Sequence, residues 1–317
     1  MNHEITLSAP AGQGSASGPE LEAFLTSLVL DSVTSAHSRR AYRIGLVFFW
    51  TWARALDGRL GFSKATVAEY RTHLLEQGLS SATVNLRLAP VRRLAREMAD
   101  NGLLPPETAA AIARVPGVPR LGTRLGNWLT KEQANELLNA PDPTTLPGQR
   151  DRAILALLIG CGLRRSEVVG LSIESLEQRD ARWVLPDLAG KGGRVRTVTV
   201  PAGVKARIDL WTAAAGIRSG PLFRPVRKGG EVQPRALGDE KAIWHLVVRY
   251  ARETDLGKLA PHDLRRTCAK LCRRAGGDLE QIQLLLGHAS VQTTERYLGT
   301  EQNLAEAVND GLGLDLG

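Results

Sequence analysis

Residues 261–298 read PHDLRRTCAKLCRRAGGDLEQIQLLLGHASVQTTERYL, and their spacing governs how the whole chain is interpreted. A helix opening at Pro261 puts positions i and i+3 on one face, so His262 and Arg265 can address the same atom. Arginine grips two phosphate oxygens with a planar fork. Histidine donates to a third oxygen or moves a proton. His288 follows Leu285-Leu286-Gly287, where glycine ends a helix, and Tyr297 comes later in a short polar helix opened by Ser290. A tyrosine hydroxyl is a usable nucleophile beside an electropositive phosphate. Taken singly, His288 reads better as a helix cap and Tyr297 as a half-buried core tyrosine. Taken together and in this order, the groups point to phosphoryl transfer, and none of them suits a metal site.

Upstream, the same chemistry recurs. Arg164 stands at the start of a helix just after the Gly160-Cys161-Gly162 break, where free amides and the helix dipole already favour an anion. Glu167, three residues on, faces the same way and can orient Arg164 or a nearby histidine. Alone, the two read as an ordinary surface pair worth under ~1 kcal/mol. Lys191 sits at the tip of a Gly-Lys-Gly-Gly turn between the β-rich runs Arg182–Leu185 and Val195–Val200. There its ammonium can reach across a cleft and protonate a leaving oxygen. Alone, it reads as a turn lysine.

The composition agrees with a polyanionic partner. Lys+Arg is 41 against Asp+Glu 33, a net charge of +8, which favours nucleic acid ahead of anionic membrane. Hydrophobic residues make up 43% of the 317 positions, enough for two domains with cores. Cys161, Cys268 and Cys272 are odd in number, and the last two share a helical stripe with Leu264 and Leu271. That reads as core packing, neither a disulfide framework nor zinc. No run approaches the ~20 apolar residues of a membrane span. Residues 1–18 are rich in Ser, Gly and Ala and lack a basic segment followed by an apolar one, so the expectation is a flexible N-terminus and a cytoplasmic protein.

From about Pro19 to Leu104 the apolar residues recur at helical spacing: Leu21, Phe24, Leu25 and Leu28, then Tyr42, Leu46, Phe49, Ala53 and Leu56, then Val67 to Leu75. A fourth helix follows Ser80-Ser81 with Leu88, Val91, Ala95 and Met98 on one side. Arg92, Arg93 and Arg96 take the other side; with few acids to neutralise them they are candidate contacts to a phosphate backbone, as are Arg39, Arg40 and Arg43 at the basic start of the second helix. The run ARVPGVPRLGTRLGN, residues 113–127, reads as a basic linker, either a strap along an anionic duplex or a plain tether. Beyond it Thr130 and Gln133 form a capping box. Helices are expected at about 150–159, 163–171, 202–215, 238–253, 261–274, 278–286 and 301–309. The fold class is mainly α: an N-terminal helical bundle (19–112), then an α+β domain (128–317) with a small antiparallel sheet.

The order Arg164, Lys191, His262-x-x-Arg265, His288, Tyr297 resembles that of the tyrosine recombinase (phage integrase) family, which includes the Xer-type recombinases. Gly162-Leu163-Arg164-Arg165-Ser166-Glu167-Val168 resembles the family's first arginine box. Gly190-Lys191-Gly192 resembles its β-hairpin lysine. His262-Asp263-Leu264-Arg265-Arg266-Thr267 and Leu285-Leu286-Gly287-His288-Ala289-Ser290 resemble its second box, and Thr293-Thr294-Glu295-Arg296-Tyr297 its tyrosine segment. Ser38-Arg39-Arg40-Ala41-Tyr42 and Ser81-Ala82-Thr83-Val84-Asn85 fall where the family's SAM-like core-binding domain has them. Leu104-Pro105-Pro106 departs from a common Asn-Pro. Arg165 and Arg266 are extra arginines; the Gly-Leu register and the His-x-x-Arg step select Arg164 and Arg265.

The resemblance implies a site-specific DNA recombinase of the integrase or excisionase type. Tyr297 would attack a phosphodiester and form a 3′-phosphotyrosine. Arg164 and Arg265 would hold the non-bridging oxygens, with His288 as a further donor, His262 as base or relay, Lys191 as acid and Glu167 in support. Bond energy stays in the phosphotyrosine, so no cofactor, ATP or metal is called for. Double-stranded DNA is the implied partner, with four protomers on two sites and a monomer or dimer off DNA. The C-terminal helix, with Leu304 and Val308 on one face, would dock on a neighbour or on its own domain. A type IB topoisomerase-like relaxing enzyme and a non-catalytic DNA-binding relative are the alternatives.

Overall fold

The computed structural model describes residues 18–56, 61–119, 127–190 and 194–298, and divides into two compact units, Met1–Thr123 and Arg124–Gly317. The first is helical throughout: α1 (Gly18–Asp31), α2 (Ala36–Arg54), α3 (Lys64–Glu76), α4 (Ser81–Asp100) and α5 (Pro106–Ala113). Ser35, Ser63 and Ser80 each accept a hydrogen bond from the third backbone N–H of the helix that follows, which fixes where α2, α3 and α4 begin. Leu46, Phe49, Val67, Tyr70, Leu88, Val91 and Leu94 fill the centre. α2 crosses α4 at Gly45, where a Cβ would lie 2.7 Å from the ring of Pro90, so only glycine admits that approach.

Three features of this unit differ from the sequence reading. α5 continues the bundle beyond Leu104, started by Pro106 at its first turn, a position that needs no N–H. The basic face of α4 is partly occupied within the unit. Arg92 donates to the carbonyl of Val115 at 2.5 Å, and Arg93 donates to Ser32 Oγ at 3.1 Å and pairs with Glu97 at 2.7 Å. Arg96 is exposed, as are Arg39, Arg40 and Arg43; Arg39 also pairs with Asp31 at 3.2 Å. The start of the expected linker is clasped rather than loose. Asn85 exchanges two hydrogen bonds with the main chain of Val118, at 2.8 and 2.9 Å, and Val115 joins the core.

The second unit holds α6 (Lys131–Asn139), α7 (Leu146–Gly160), α8 (Arg165–Gly170), β1 (Glu177–Arg179), β2 (Arg182–Ala189), β3 (Val195–Val200), α9 (Ala202–Ala214), α10 (Glu240–Glu253), α11 (Pro261–Arg274), α12 (Leu279–Leu286) and α13 (Val291–Leu298). α7 is its axis, with every residue from Ala153 to Ile159 buried. Its Asp151, wholly buried, accepts from Arg150 (2.9 Å), Arg249 (2.6 Å) and the Tyr250 hydroxyl (3.0 Å), which ties α7 to α10. The sheet is antiparallel in the order β1-β2-β3. β1 was not expected: all three of its residues are exposed and carry no alternation. A one-residue register shift between Leu185 and Leu188 bends β2, and Arg196, Val198 and Val200 of β3 face inward. Cys161 and Cys268 are buried and Cys272 half-buried, all free thiols. No helix of the described residues is long and apolar enough to cross a membrane. The expected helix at 301–309 and the hairpin tip with Lys191 lie outside the described residues.

Candidate functional site

The site forms where α8, β3, α11, α12 and α13 meet. Arg164 caps the start of α8 and is tied to Glu167 in two ways: its backbone N–H donates to Glu167 Oε2 and its Nη1 to Oε1, both at 2.7 Å. Arg265, on the inner face of α11, is 2% exposed. A guanidinium so buried survives only if its protons find acceptors. It donates to the main-chain carbonyls of Gly162 and Leu286. Arg164 Nη2 reaches the same Leu286 carbonyl at 3.4 Å. That carbonyl is at the C-terminal end of α12, one of the acceptors a helix end leaves free and the pole that attracts cations.

Glycine makes this convergence possible at two positions. Gly287 ends α12 with φ +60°, and a Cβ there would lie 2.8 Å from Arg196 Cδ. Gly162, at φ +58°, would bring a Cβ within 3.0 Å of Leu286 and 3.2 Å of Cys268 Sγ. Both positions combine a left-handed backbone with a close approach.

His288 follows Gly287 directly, and its Nδ1 is 3.0 Å from the buried Thr294 hydroxyl on α13. Three residues on from Thr294, the Tyr297 ring sits edge-on to both imidazoles, 5.2 Å from His262 and 5.0 Å from His288. Its hydroxyl donates to the main-chain carbonyl of His262 at 3.1 Å. Arg164, His262, Arg265, His288 and Tyr297 are therefore gathered in one place. Arg165 turns away to pair with Glu240 at 2.6 Å.

Sequence reasoning missed one residue of this cluster. Arg196, 7% exposed, grips both oxygens of Glu167 at 2.8 Å and donates from Nε to the Leu285 carbonyl at 2.9 Å. The signal was present: the alternation over Val195–Val200 puts Arg196 on the inward side, where a cation requires a carboxylate.

The crowd of cations sets the protonation states. Burial alone would raise the Glu167 carboxyl, but hydrogen bonds from Arg196 and Arg164 hold it below the ordinary glutamate range. Burial, then the charges of Arg164 and Arg196, bring Arg265 down to about 10, still charged at neutral pH. Burial and then Arg265 and Arg164 push His288 down to about 4. His262 is lowered by burial first, then by Arg266 and Arg265. Burial raises the Tyr297 phenol to about 12 against the pull of Arg265 and Arg266. Without a bound anion, both imidazoles are neutral at pH 7 and the phenol keeps its proton.

Two family descriptions match the chain: the phage integrase family over residues 127–303, and the phage integrase N-terminal SAM-like domain over residues 21–102. The tyrosine recombinase XerC of Myxococcus xanthus is 33% identical over 295 residues, covering 88% of this chain and 92% of the relative. The tyrosine recombinase XerD of Pseudomonas aeruginosa is 30% identical over 290 residues, covering 88% and 92%. Among solved structures, the fold is similar to the XerH site-specific recombinase in a post-cleavage complex with palindromic difH substrate, at TM-score 0.66, 20% identity, 92% of this chain and 88% of that one. A lambda integrase dimer bound to a COC′ core site is similar at TM-score 0.63, 14% identity, 90% of this chain and 78% of that one.

Two outcomes follow from the geometry. Arg196→Ala strips a buried carboxylate of its bidentate partner and is expected to destabilise the second unit by on the order of 3 kcal/mol. This is read as a lower urea midpoint at unchanged m value, with Arg196→Lys recovering only part. The second concerns pH. His288 titrates at about 4 when folded and near ~6.5 when unfolded. Between those values the unfolded chain takes up a proton that the folded ring refuses, so stability falls as pH drops through that window and is unaffected above it. The melting temperature of the parent should therefore fall between pH 7.5 and pH 5 by more than that of His288→Gln; equal falls would contradict the assignment.

Proposed function

The chain belongs to the phage integrase family, the tyrosine recombinases, and is an enzyme that cuts and rejoins DNA at specific sites; from this premise we propose which groups carry out the reaction. The phenolic oxygen of Tyr297 bonds to the phosphorus of a DNA phosphodiester while the bond to the 5′-oxygen breaks, leaving the protein joined to the 3′ side. The phenolic proton passes to His262, and Lys191 gives a proton to the departing 5′-oxygen. Arg164 and Arg265 hold the non-bridging oxygens, and His288 donates to one of them. Glu167, through Arg164, sets the direction of the first guanidinium. A 5′-hydroxyl from a second strand then attacks the phosphotyrosine, reversing the proton transfers and releasing the tyrosine.

The observation that carries this reading is the convergence of Arg164 and Arg265 on one carbonyl beside a tyrosine flanked by two imidazoles. A phosphate oxygen is a better acceptor than that carbonyl, and it brings the negative charge that the cluster lacks. The helical unit, through Arg39, Arg40, Arg43 and Arg96, adds contacts to the phosphate backbone, and residues 113–127 join a DNA-binding domain (19–112) to the catalytic one (128–317). Arg92 and Arg93 join these contacts only by giving up partners inside the bundle. Exchange between two sites uses two cleavages on each, so four protomers act together, in the cytoplasm where bacterial DNA lies.

The test begins with the protein's own cell. Sheared genomic DNA from that cell, trapped with the protein by detergent and sequenced at the adducts, returns the target. On a nicked duplex built from that target, the wild type should accumulate covalent protein–DNA and Tyr297→Phe none. Arg164→Ala and Arg265→Ala should slow adduct formation by about 10²–10³-fold. Adduct from Tyr297→Phe, or none from wild type, would refute the assignment. Assembly is read separately. Light scattering of Tyr297→Phe with two target duplexes should give four protomers. Plasmid relaxation by a protein that stays monomeric on DNA would instead support the topoisomerase-like alternative.

A further inference from the structure

Arg266 has no place in the reaction as proposed. It follows the buried Arg265 and lies one helical turn beyond His262 on α11. Among the described residues it makes no hydrogen bond or ion pair, and its Nε is shut off from solvent without a partner. A buried N–H without an acceptor is costly. The guanidinium lies against the proposed nucleophile, its carbon 5.0 Å from the centre of the Tyr297 ring. The ring is thus boxed by His262 and His288 at its edges and by Arg266 over its face.

We propose that Arg266 is a positioning residue for Tyr297 and His262: it holds the phenol ring by a cation–π contact and places its charge one helical turn from His262. The proposal rests on Tyr297 being the nucleophile and His262 its base. The two effects act in one direction. A cation over the ring attracts phenolate more strongly than phenol, so it favours loss of the phenolic proton. The same cation repels a proton from His262, so the ring that receives the phenolic proton starts empty. Neither effect requires Arg266 to touch DNA.

The experiment uses the full chain and the nicked duplex defined by the trapped adducts. Adduct formation is timed at saturating DNA from pH 5.5 to 9 for wild type, Arg266→Gln, Arg266→Lys and Tyr297→Phe. DNA affinity is measured by fluorescence anisotropy in the Tyr297→Phe background, with and without Arg266→Gln. Arg266→Gln is expected to slow the saturated rate by roughly 3- to 30-fold, the range of a desolvated cation–π contact. Its acid limb should move to higher pH, because His262 then accepts a proton more readily. Arg266→Lys should restore the acid limb, since the charge is kept, and only part of the rate, since the planar fork is lost. A purely structural role would lower the amount of active protein without moving the acid limb. A rate within twofold of wild type with the same acid limb overturns the proposal. So does a loss of DNA affinity that accounts for the whole effect, which would make Arg266 a phosphate contact. Adduct from Tyr297→Phe, or none from wild type, overturns the nucleophile reading instead and this proposal with it.

Discussion

Three guanidiniums, those of Arg164, Arg196 and Arg265, share a pocket with one carboxylate, Glu167. The site is short of negative charge, and most of its properties follow from that. Like charges at this range repel strongly in a medium less polar than water. The cluster persists because Glu167 takes hydrogen bonds from two of the arginines and because main-chain carbonyls of Gly162, Leu285 and Leu286 take the rest. Carbonyls satisfy hydrogen bonds without cancelling charge. The remaining excess of positive charge is therefore stored, ready for an anion, and a phosphodiester supplies one.

Burial and the stored charge together keep both imidazoles free of a proton. The Tyr297 phenol keeps its proton through burial, against the pull of the same cations. In the proposed reaction, a phosphate that enters between Arg164 and Arg265 offsets part of that positive charge without reversing it. It steadies a protonated His262 after proton transfer and strengthens the hydrogen bond from His288. On the proposed reading, the same charge that sets these groups also binds the substrate, which couples binding to activation.

Much of this could be read along the chain, and the failures have physical reasons. Helical periodicity located α1 to α4, α7 and α9 to α12, because each buries one apolar stripe on a core, whereas α13 was legible only as a short polar helix opened by Ser290. α5 was hidden by its length and by Pro105-Pro106, which reads as a break although proline suits a first turn. β1 was hidden because an exposed three-residue strand has no pattern to show. Arg164, His262, Arg265, His288 and Tyr297 were legible as a spacing, yet spacing alone left each one open to a plainer reading. Arg196 was not legible as a site residue because a single arginine in an alternating strand carries no motif, and only its inward face on β3 sets it apart. Arg92 and Arg93 looked like a free basic stripe because nothing in the sequence says that the chain after α5 folds back onto α4.

A different constraint acts on α13, the helix that carries Tyr297. α13 is eight residues long, too short to be stable alone. It packs through Leu298 onto a small cluster of Ala269, Ile282 and Leu286, apart from the main core of the unit. Among the described residues, Thr294 also meets His288, and the Tyr297 ring, which packs against the same cluster, meets two imidazoles and a guanidinium. The phenol hydroxyl rests on the His262 carbonyl, a bond worth about 1 kcal/mol net. The arginines, by contrast, are locked into helix ends and the sheet. In the proposed reaction, the arginines stay anchored in helix ends and the sheet while the Tyr297 hydroxyl exchanges the His262 carbonyl for the phosphorus.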